Sequence, residues 1–577
     1  MKKLLSLLLA IMLCFCVVGC SELDDIFGDD STEEPKEQDT TMSQLSITCW
    51  DGGFGVEWLE SIAHRFEETY KDHSFETGKK GVQVWITANK GNVYDSFATS
   101  IVASEDNEIA ISEQCNYNGF VVKKTALDIT DAVTTPLTEY GETKSIADKL
   151  SASDREFYGV ASNTYYGLPW YESTFGFQYD KDLFEEENFY FAADGMGDSD
   201  GFVTRSDMKR GNGPDGIEGT DDDGLPATYD DFFKLCDRIA EQEMIPVIWA
   251  GVAPVYLNNF LLSLIADYEG YDQMSLAYSL NGTATDLIDS VNPDGTLNMK
   301  PATEINNSNG YLMRRSAGYY YGLQFIERLL KTKKSDGKTY KYYDPSKCLS
   351  STRSQKQAQS DFLRGRFSSN LTPTAMLIDG TWWYAEARAT FKQMASIPGA
   401  ASNERNIGFM PMPKVDKEHL GPATYINNWM TSVNVSAAIA ESKIPMAKQF
   451  IRFMHTDRSL SEFTRITSGV RPFYYDVTTE DQPLTSPYAK DVMKVHNNNT
   501  IENPTIVNPW SRNNLVLNNL ADFMINDQVF NCKIGNNSYN IVLNAMINYG
   551  VSAKDYYQGI TNYYSQEMWN NAYSRYF

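Results

Sequence analysis

The chain has 577 residues, with 50 Lys and Arg set against 76 Asp and Glu, a formal net charge of −26. That balance repels phosphate and excludes nucleic acid and anionic lipid as partners of the folded body. Aromatic residues make up 13% of the chain, and of eight Cys only five lie beyond residue 20, an odd, widely spaced set that is no disulfide framework.

Lys2 and Lys3 precede an apolar run over 4–18 that closes on Val17-Val18-Gly19-Cys20, the pattern of a secretory signal. A membrane span needs roughly 20 apolar residues, more than this run supplies. The closing tetrad resembles the lipobox of bacterial lipoproteins. It implies that Cys20 is lipidated on sulfur, with a palmitate-type diacylglyceryl anchor, and becomes the first residue after cleavage. Two acyl chains hold a domain durably at a surface where one does not. The implied location is the extracellular face of the bacterial cytoplasmic membrane, a Gram-positive surface being favoured over a periplasmic one. An ordinary signal peptide, or a short membrane helix in which Cys20 is incidental, stays open. Residues 21–43 carry many acidic side chains and one Lys among Ser, Thr, Gly and Pro. Such a segment buries too little apolar surface to fold, and its charges repel each other, so it reads as a disordered tether.

The body beyond it is too long for one ordinary core and suits two lobes. Alternation predicts a strand over 45–49, followed by Trp50-Asp51-Gly52-Gly53. Leu59, Ile62, Ala63, Phe66 and Tyr70 then repeat at helical spacing, and a second strand is predicted over 82–86. This βαβ opening predicts an α/β lobe with a parallel sheet, whose ligands gather at strand C-terminal ends where Trp50 and Asp51 stand. A third strand over 108–111 leads to Gln114 and Asn116.

Five segments then follow in one order: Ile47-Thr48-Cys49-Trp50-Asp51-Gly52; Tyr166-Gly167-Leu168-Pro169-Trp170 leading into Gly176-Phe177-Gln178-Tyr179-Asp180-Lys181-Asp182-Leu183-Phe184; Ile378-Asp379-Gly380-Thr381-Trp382-Trp383; Ile407-Gly408-Phe409-Met410-Pro411-Met412-Pro413; and Ala447-Lys448-Gln449-Phe450-Ile451 leading to Gly469-Val470-Arg471-Pro472. In these the chain resembles the extracellular solute-binding proteins of carbohydrate ABC importers, the family that includes the maltose-binding proteins. Asp180 departs from the family's usual Asn, and the body is longer than usual. The resemblance implies an α/β, two-lobed periplasmic-binding-protein-like fold with a hinge of several chain crossings, near 168–172, 423–429 and 471–509. It divides the chain into a signal (1–20), a tether (21–43), lobe 1 (44–168 and 425–480), lobe 2 (169–424) and a C-terminal helical part of lobe 2 (481–577).

Within lobe 2, residues 194–231 are rich in Asp and Gly and poor in aliphatics. Asp198, Asp200 and Asp207 resemble an EF-hand loop at its third, fifth and twelfth positions, with Gly201 at the sharp turn, although Met196 stands at the first. Asp215, Asp221, Asp222 and Asp223 form a second cluster. Carboxylates on a segment without a core repel each other unless a cation joins them, so structural Ca2+ is expected on Asp198, Asp200, Asp207, Asp215, Asp221 and Asp223, with a solvated acidic loop as the alternative. Gly197-Asp198-Ser199-Asp200-Gly201 and Gly211-Asn212-Gly213-Pro214-Asp215-Gly216 match a nucleophile elbow and a dinucleotide loop only in letters, since no apolar strand leads into either.

A sugar offers C–H patches to aromatic faces and hydroxyls to carboxylates and amides. Carried over from the resemblance, the candidate ligand-binding residues are Trp50, Asp51, Gln114, Asn116, Trp170, Tyr171, Glu172, Tyr256, Trp382, Trp383, Trp429 and Trp510. Only one of Trp382 and Trp383 can face a cleft. The implied function is capture of a carbohydrate, an oligosaccharide being favoured, by lobe closure, and delivery by a monomer to the permease subunits of an ABC importer, without catalysis. A glycan-adhesion lipoprotein without an importer remains an alternative, and so, more remotely, does a glycoside hydrolase, which needs only two suitably spaced carboxylates.

Cys20→Ala is expected to block lipidation and release the protein into the medium. Fractionation that leaves the variant as firmly cell-bound as its parent would show that Cys20 is not the anchor.

Overall fold

The computed structural model describes residues 37–574 except 90–94, 114, 116, 428, 499 and 503–529. Cys20, Gln114, Asn116 and Trp510 lie outside the described residues. In chain order, the elements that build the two sheets and position the site begin with β1 (Ser43–Trp50), α1 (Glu57–Thr69), β2 (Val82–Asn89) and β3 (Ile109–Glu113). They continue with β4 (Phe175–Asp180), β5 (Ile245–Ile248), α2 (Tyr256–Ser279), α3 (Gln355–Arg364), β6 (Thr374–Gly380), α4 (Trp383–Glu386) and β7 (Ile407–Met410). The last are β8 (Thr431–Val435), α5 (Ile444–Met454), α6 (Asp457–Thr467) and α7 (Pro487–Asn498).

In the first lobe the sheet order is β8-β3-β1-β2, with β1 parallel to β2 and β3, and β8 antiparallel to β3. The α1 helix forms because Trp58, Leu59, Ile62, Ala63 and Phe66 fall on one buried face, while Glu57 and Glu60 in its first turn complement the helix dipole. Burial of each large side chain on that face stabilises the lobe by about 1.5–3 kcal/mol. In the second lobe the order is β7-β4-β6-β5, and every residue of β4 and β6 is buried. Strand β6 runs parallel to β5 and antiparallel to β4. Helix α2 is broken at Gly270, whose φ of +69° only glycine adopts without strain.

The lobes are joined by an extended strip over 168–174. Its first half belongs to lobe 1: Leu168 exchanges backbone hydrogen bonds with Val433 of β8 (3.1 and 2.7 Å), and the Trp170 N–H donates to Thr431 Oγ1 at 3.1 Å. Its second half belongs to lobe 2: the Thr381 N–H donates to the Thr174 carbonyl at 3.0 Å. Gly167 opens the strip because a Cβ there would lie 2.4 Å from Asn434 Nδ2 and 2.9 Å from the Val433 carbonyl, so no side chain fits against β8. A second passage runs through Thr424–Ile426 into β8. In the third, the Glu172 N–H donates to the Val470 carbonyl at 3.0 Å. Helix α7 then packs against β7 of the second lobe.

Arg471 is fully buried beneath the strip. Its guanidinium donates to the carbonyls of Trp170 (3.0 Å) and Met454 (2.6 Å) and to His455 Nε2 (2.8 Å). His455 Nδ1 donates to the Ile451 carbonyl at 2.7 Å, which fixes the neutral tautomer whose Nε2 accepts. Burial, with the Arg471 charge behind it, holds the His455 pKa well below its usual range. Burial also lowers Arg471, to about 9, which leaves it charged at neutral pH.

Beside the strip, Glu172 is buried against His496 Nδ1 at 3.1 Å. Burial opposes a charge on His496, but Glu172 outweighs it, and the His496 pKa lies above its usual 6.5. Burial pushes the neighbouring Asp154 carboxyl up to about 6, against the hydrogen bond from Ser151. Asp154 binds its proton more tightly folded than unfolded, so its contribution falls as pH rises from 3.8 to about 6. His496 contributes fully below 6.5 and loses that contribution as pH rises through its folded value. Thermal melts should therefore show His496→Gln destabilising the protein more at pH 6 than at pH 9. An equal loss at both would mean that the imidazole is not charged against Glu172.

Candidate functional site

Where β1 and β3 end, facing α3, α4 and the start of α2, the lobes enclose a cleft of about 550 Å3. That volume suits a small ligand of a few rings. From the first lobe come Trp50, Asp51, Phe54, Glu57 and Glu113, with Tyr171 on the strip; from the second come Tyr256, Gln355, Lys356, Trp382, Glu386 and Arg388. Trp429 stands at the second passage.

Trp382 is the aromatic centre of the second-lobe wall. Its half-buried indole meets Phe175 edge-on at 5.1 Å and Tyr256 at 6.4 Å. Room for it is made by glycine on both sides: a Cβ at Gly380 would lie 2.3 Å from the ring, and one at Gly53, across the cleft, 2.4 Å from it. The first-lobe loop thus lies directly against a second-lobe indole. Arg388 completes that contact by donating to the Phe54 carbonyl at 3.0 Å and pairing with Glu57.

Two carboxylates are held in the walls by neutral donors. The Tyr171 hydroxyl donates to Glu113, both residues being almost wholly buried. Gln359 Nε2 donates to Glu386 Oε2 at 2.7 Å, and Gln355 Nε2 to Oε1 at 3.4 Å. The same Gln359 amide donates to Asp379 Oδ2 at 3.0 Å. Burial, with the charge of Glu386 behind it, pushes the Asp379 carboxyl well above the usual range. Asp379 belongs to the core, and Glu386 belongs to the cleft.

Of the residues expected at the site, Trp50, Asp51, Tyr171, Tyr256, Trp382 and Trp429 line this cleft. Three others are placed elsewhere, correcting the sequence reading. Trp170 is 1% exposed; it stacks on Trp58 at 5.5 Å, and its Nε1 donates to the Ser112 carbonyl at 2.9 Å. Glu172 points to His496, because residues along an extended strip alternate and Tyr171 takes the cleft face. Trp383 is wholly buried among Phe362, Tyr384 and Tyr488, so Trp382 is the cleft member of the pair. Glu113, Glu386 and Arg388 were missed. Glu113 closes β3 just before the expected Gln114, and Glu386 follows Trp382 by four residues, one helical turn, which is the spacing that could have found it.

The acidic insertion does not gather its carboxylates. Among the described residues no group of three His, Cys, Asp or Glu is arranged to hold a metal ion. Asp198 accepts from the N–H groups of Asp200 (3.0 Å) and Phe202 (2.9 Å) and pairs with Arg238 at 2.9 Å. Asp207 pairs with Arg205, and Asp221 with Lys494. Asp215 accepts from the Ile217 N–H, and Asp223 from the Gly219 N–H. Arg, Lys and backbone donors thus meet several of the carboxylates on which structural Ca2+ was expected.

Residues 120–492 match the family model described as bacterial extracellular solute-binding protein. No curated protein matches the sequence. Among solved structures, the chain is similar to a chitin oligosaccharide binding protein, at 15% identity over 92% of this chain and 99% of that one, with a TM-score of 0.50. It is similar also to the GacH receptor of Streptomyces glaucescens GLA.O, at 10% identity over 93% and 100%, TM-score 0.51. A third is T. maritima MalE3, at 13% identity over 90% and 99%, TM-score 0.50. At these identities the likeness shows the fold, a two-lobed binding-protein architecture.

Because Trp170 is core and not cleft, Trp170→Ala should cost about 3–5 kcal/mol of folding stability, the usual cost of emptying a large aromatic site. A thermal or denaturant melt of the ligand-free variant that overlays the parent would return Trp170 to the cleft.

Proposed function

The chain belongs to the bacterial extracellular solute-binding proteins, and on that premise we propose that it captures a carbohydrate, an oligosaccharide, between its lobes and delivers it to the permease of an ABC importer. Lipidated Cys20 holds it at the outer face of the cytoplasmic membrane, with the acidic segment after it as a tether. No described helix is long and apolar enough to cross a membrane. The observation that carries the reading is the convergence of Trp50, Tyr256, Trp382 and Trp429 with Asp51, Glu113 and Glu386 in one interlobe cleft. Aromatic faces suit the C–H surface of a sugar ring, and fixed carboxylates suit its hydroxyls, as acceptors that need no reorganisation. The structural relatives named for chitin oligosaccharide, acarbose and maltose support the same class of ligand.

Capture follows from the passages between lobes. A ligand touching both walls has more contacts when they are close, and this difference in affinity drives closure. Release must also be possible, so dissociation constants around the micromolar range are expected, about −8 kcal/mol.

Titration calorimetry with an oligosaccharide selected on a glycan array tests the site. Trp382→Ala should weaken binding by more than about 1 kcal/mol, roughly fivefold or more, because the central aromatic face of the second-lobe wall is lost. Parent-like affinity in a folded Trp382→Ala variant would place the ligand elsewhere.

A further inference from the structure

We infer that Gly53 sets how closely the two lobes approach: there a rigid turn of the first lobe rests on the Trp382 indole of the second, and a side chain at that point would hold the lobes apart. Gly53 is thus a positioning residue for capture. The inference goes beyond the carbohydrate reading, since it concerns the spacing of the lobes and applies to any ligand taken between them.

Both sides of this contact are backed by packed structure. The turn is closed by the Gly55 N–H, which donates to the Gly52 carbonyl at 2.9 Å, and Gly53 stands at its tip. Phe54, the next residue, is 2% exposed, its ring 5.1 Å from Tyr171 and 5.6 Å from Phe463 of α6. Trp58 Nε1 of α1 donates to the Gly55 carbonyl at 3.1 Å. The turn cannot swing back without emptying a core site. Trp382 is held in the same way: Phe175 and Tyr256 meet its ring edge-on, and even a Cβ at Gly380 would overlap it.

A glycine can be required by backbone conformation or by space, and this turn contains one of each. Gly55 has a φ of +68°, in the left-handed region that favours glycine. Gly53 lies outside that region, so its backbone does not call for glycine. Space does: a Cβ at position 53 would lie within 2.8 Å of Trp382 Cδ1, Cγ and Cβ. Packed side chains yield only slightly to such an overlap. With the turn and the indole both backed, the movement that relieves it is separation of the lobes about the passages that join them. The ties from Arg388 to the Phe54 carbonyl and to Glu57 flank Gly53 and would lengthen with it.

The test measures lobe separation by pulsed dipolar EPR on the mature chain carrying Cys20→Ala, with nitroxides on cysteines introduced at two exposed positions, His64 of α1 and Gln393 of the second lobe. The native cysteines among the described residues are buried and do not compete for label. The parent should show the separation of this structure, and Gly53→Val a longer one. Gly53→Ala, with a single methyl, is the variant to use if valine prevents folding. Gly421→Ala, where a Cβ would meet nothing within 4 Å, should match the parent. Adding Trp382→Leu to Gly53→Val should restore the parent separation, because the smaller side chain makes room for the valine. On an oligosaccharide that the parent binds, Gly53→Val should weaken affinity about tenfold or more, since apparent affinity falls with the fraction of molecules able to close. A Gly53 variant whose separation overlays the parent, a lengthening that Trp382→Leu leaves in place, or a parent lacking the separation of this structure overturns the inference. A parent that binds no sugar removes the carbohydrate reading alone, and the EPR distances still decide this one.

Discussion

A guanidinium with no carboxylate partner among the described residues anchors the strip from which the chain passes between the lobes. Arg471 is wholly buried, and its donors end on two carbonyls and one imidazole nitrogen. A buried charge is tolerated only when its donors are all met, and truncating such a group leaves its partners unpaired. One of those partners is the carbonyl of Trp170, so the strip between lobes is anchored at its midpoint to the end of α5. Lysine could not replace it, because one ammonium cannot reach three acceptors in the plane that the guanidinium spans. The family motif Gly469-Val470-Arg471-Pro472 therefore has a mechanical content: the Val470 carbonyl accepts from the Glu172 N–H and the Arg471 guanidinium donates to the Trp170 carbonyl, two successive ties on one strip.

The parts legible in the sequence were those governed by periodicity. The spacing of Leu59, Ile62, Ala63 and Phe66 placed α1, and alternation placed β1 and β2, so the position of Trp50 and Asp51 at a strand end followed directly. The errors arose where the same rule was not carried through. Trp170, Tyr171 and Glu172 were all assigned to the cleft although a two-residue period allows only the middle one, and the structure sends the outer two inward. The choice between Trp382 and Trp383 was not decidable from sequence, because it depends on how α4 leaves β6. Glu113 and Glu386 escaped for a different reason. Acidic residues are abundant here, and nothing local distinguishes a carboxylate backed by a tyrosine, as Glu113 is, from one in water, while Glu386 carried only its one-turn spacing from Trp382.

The acidic insertion makes the same point about charge. Its sequence presents carboxylates that need neutralising, and a cation was the simplest agent. The fold sets side chains from elsewhere against two of them, Arg238 against Asp198 and Lys494 against Asp221. Distant basic residues are invisible to a local motif: these two partners lie 40 and 273 residues away.

Arg388 and Glu57 meet across the mouth of the cleft. Each attraction that already favours approach of the lobes reduces what a ligand must supply to complete it, and it also occupies part of the doorway. The pair therefore acts as a dial between two quantities that a carrier must balance. A stronger clasp raises the resting fraction of shut molecules and slows entry, while a weaker one speeds loading but leaves more of the closing cost to the ligand. Since the two charges are partly exposed, ionic strength outside the cell turns that dial directly.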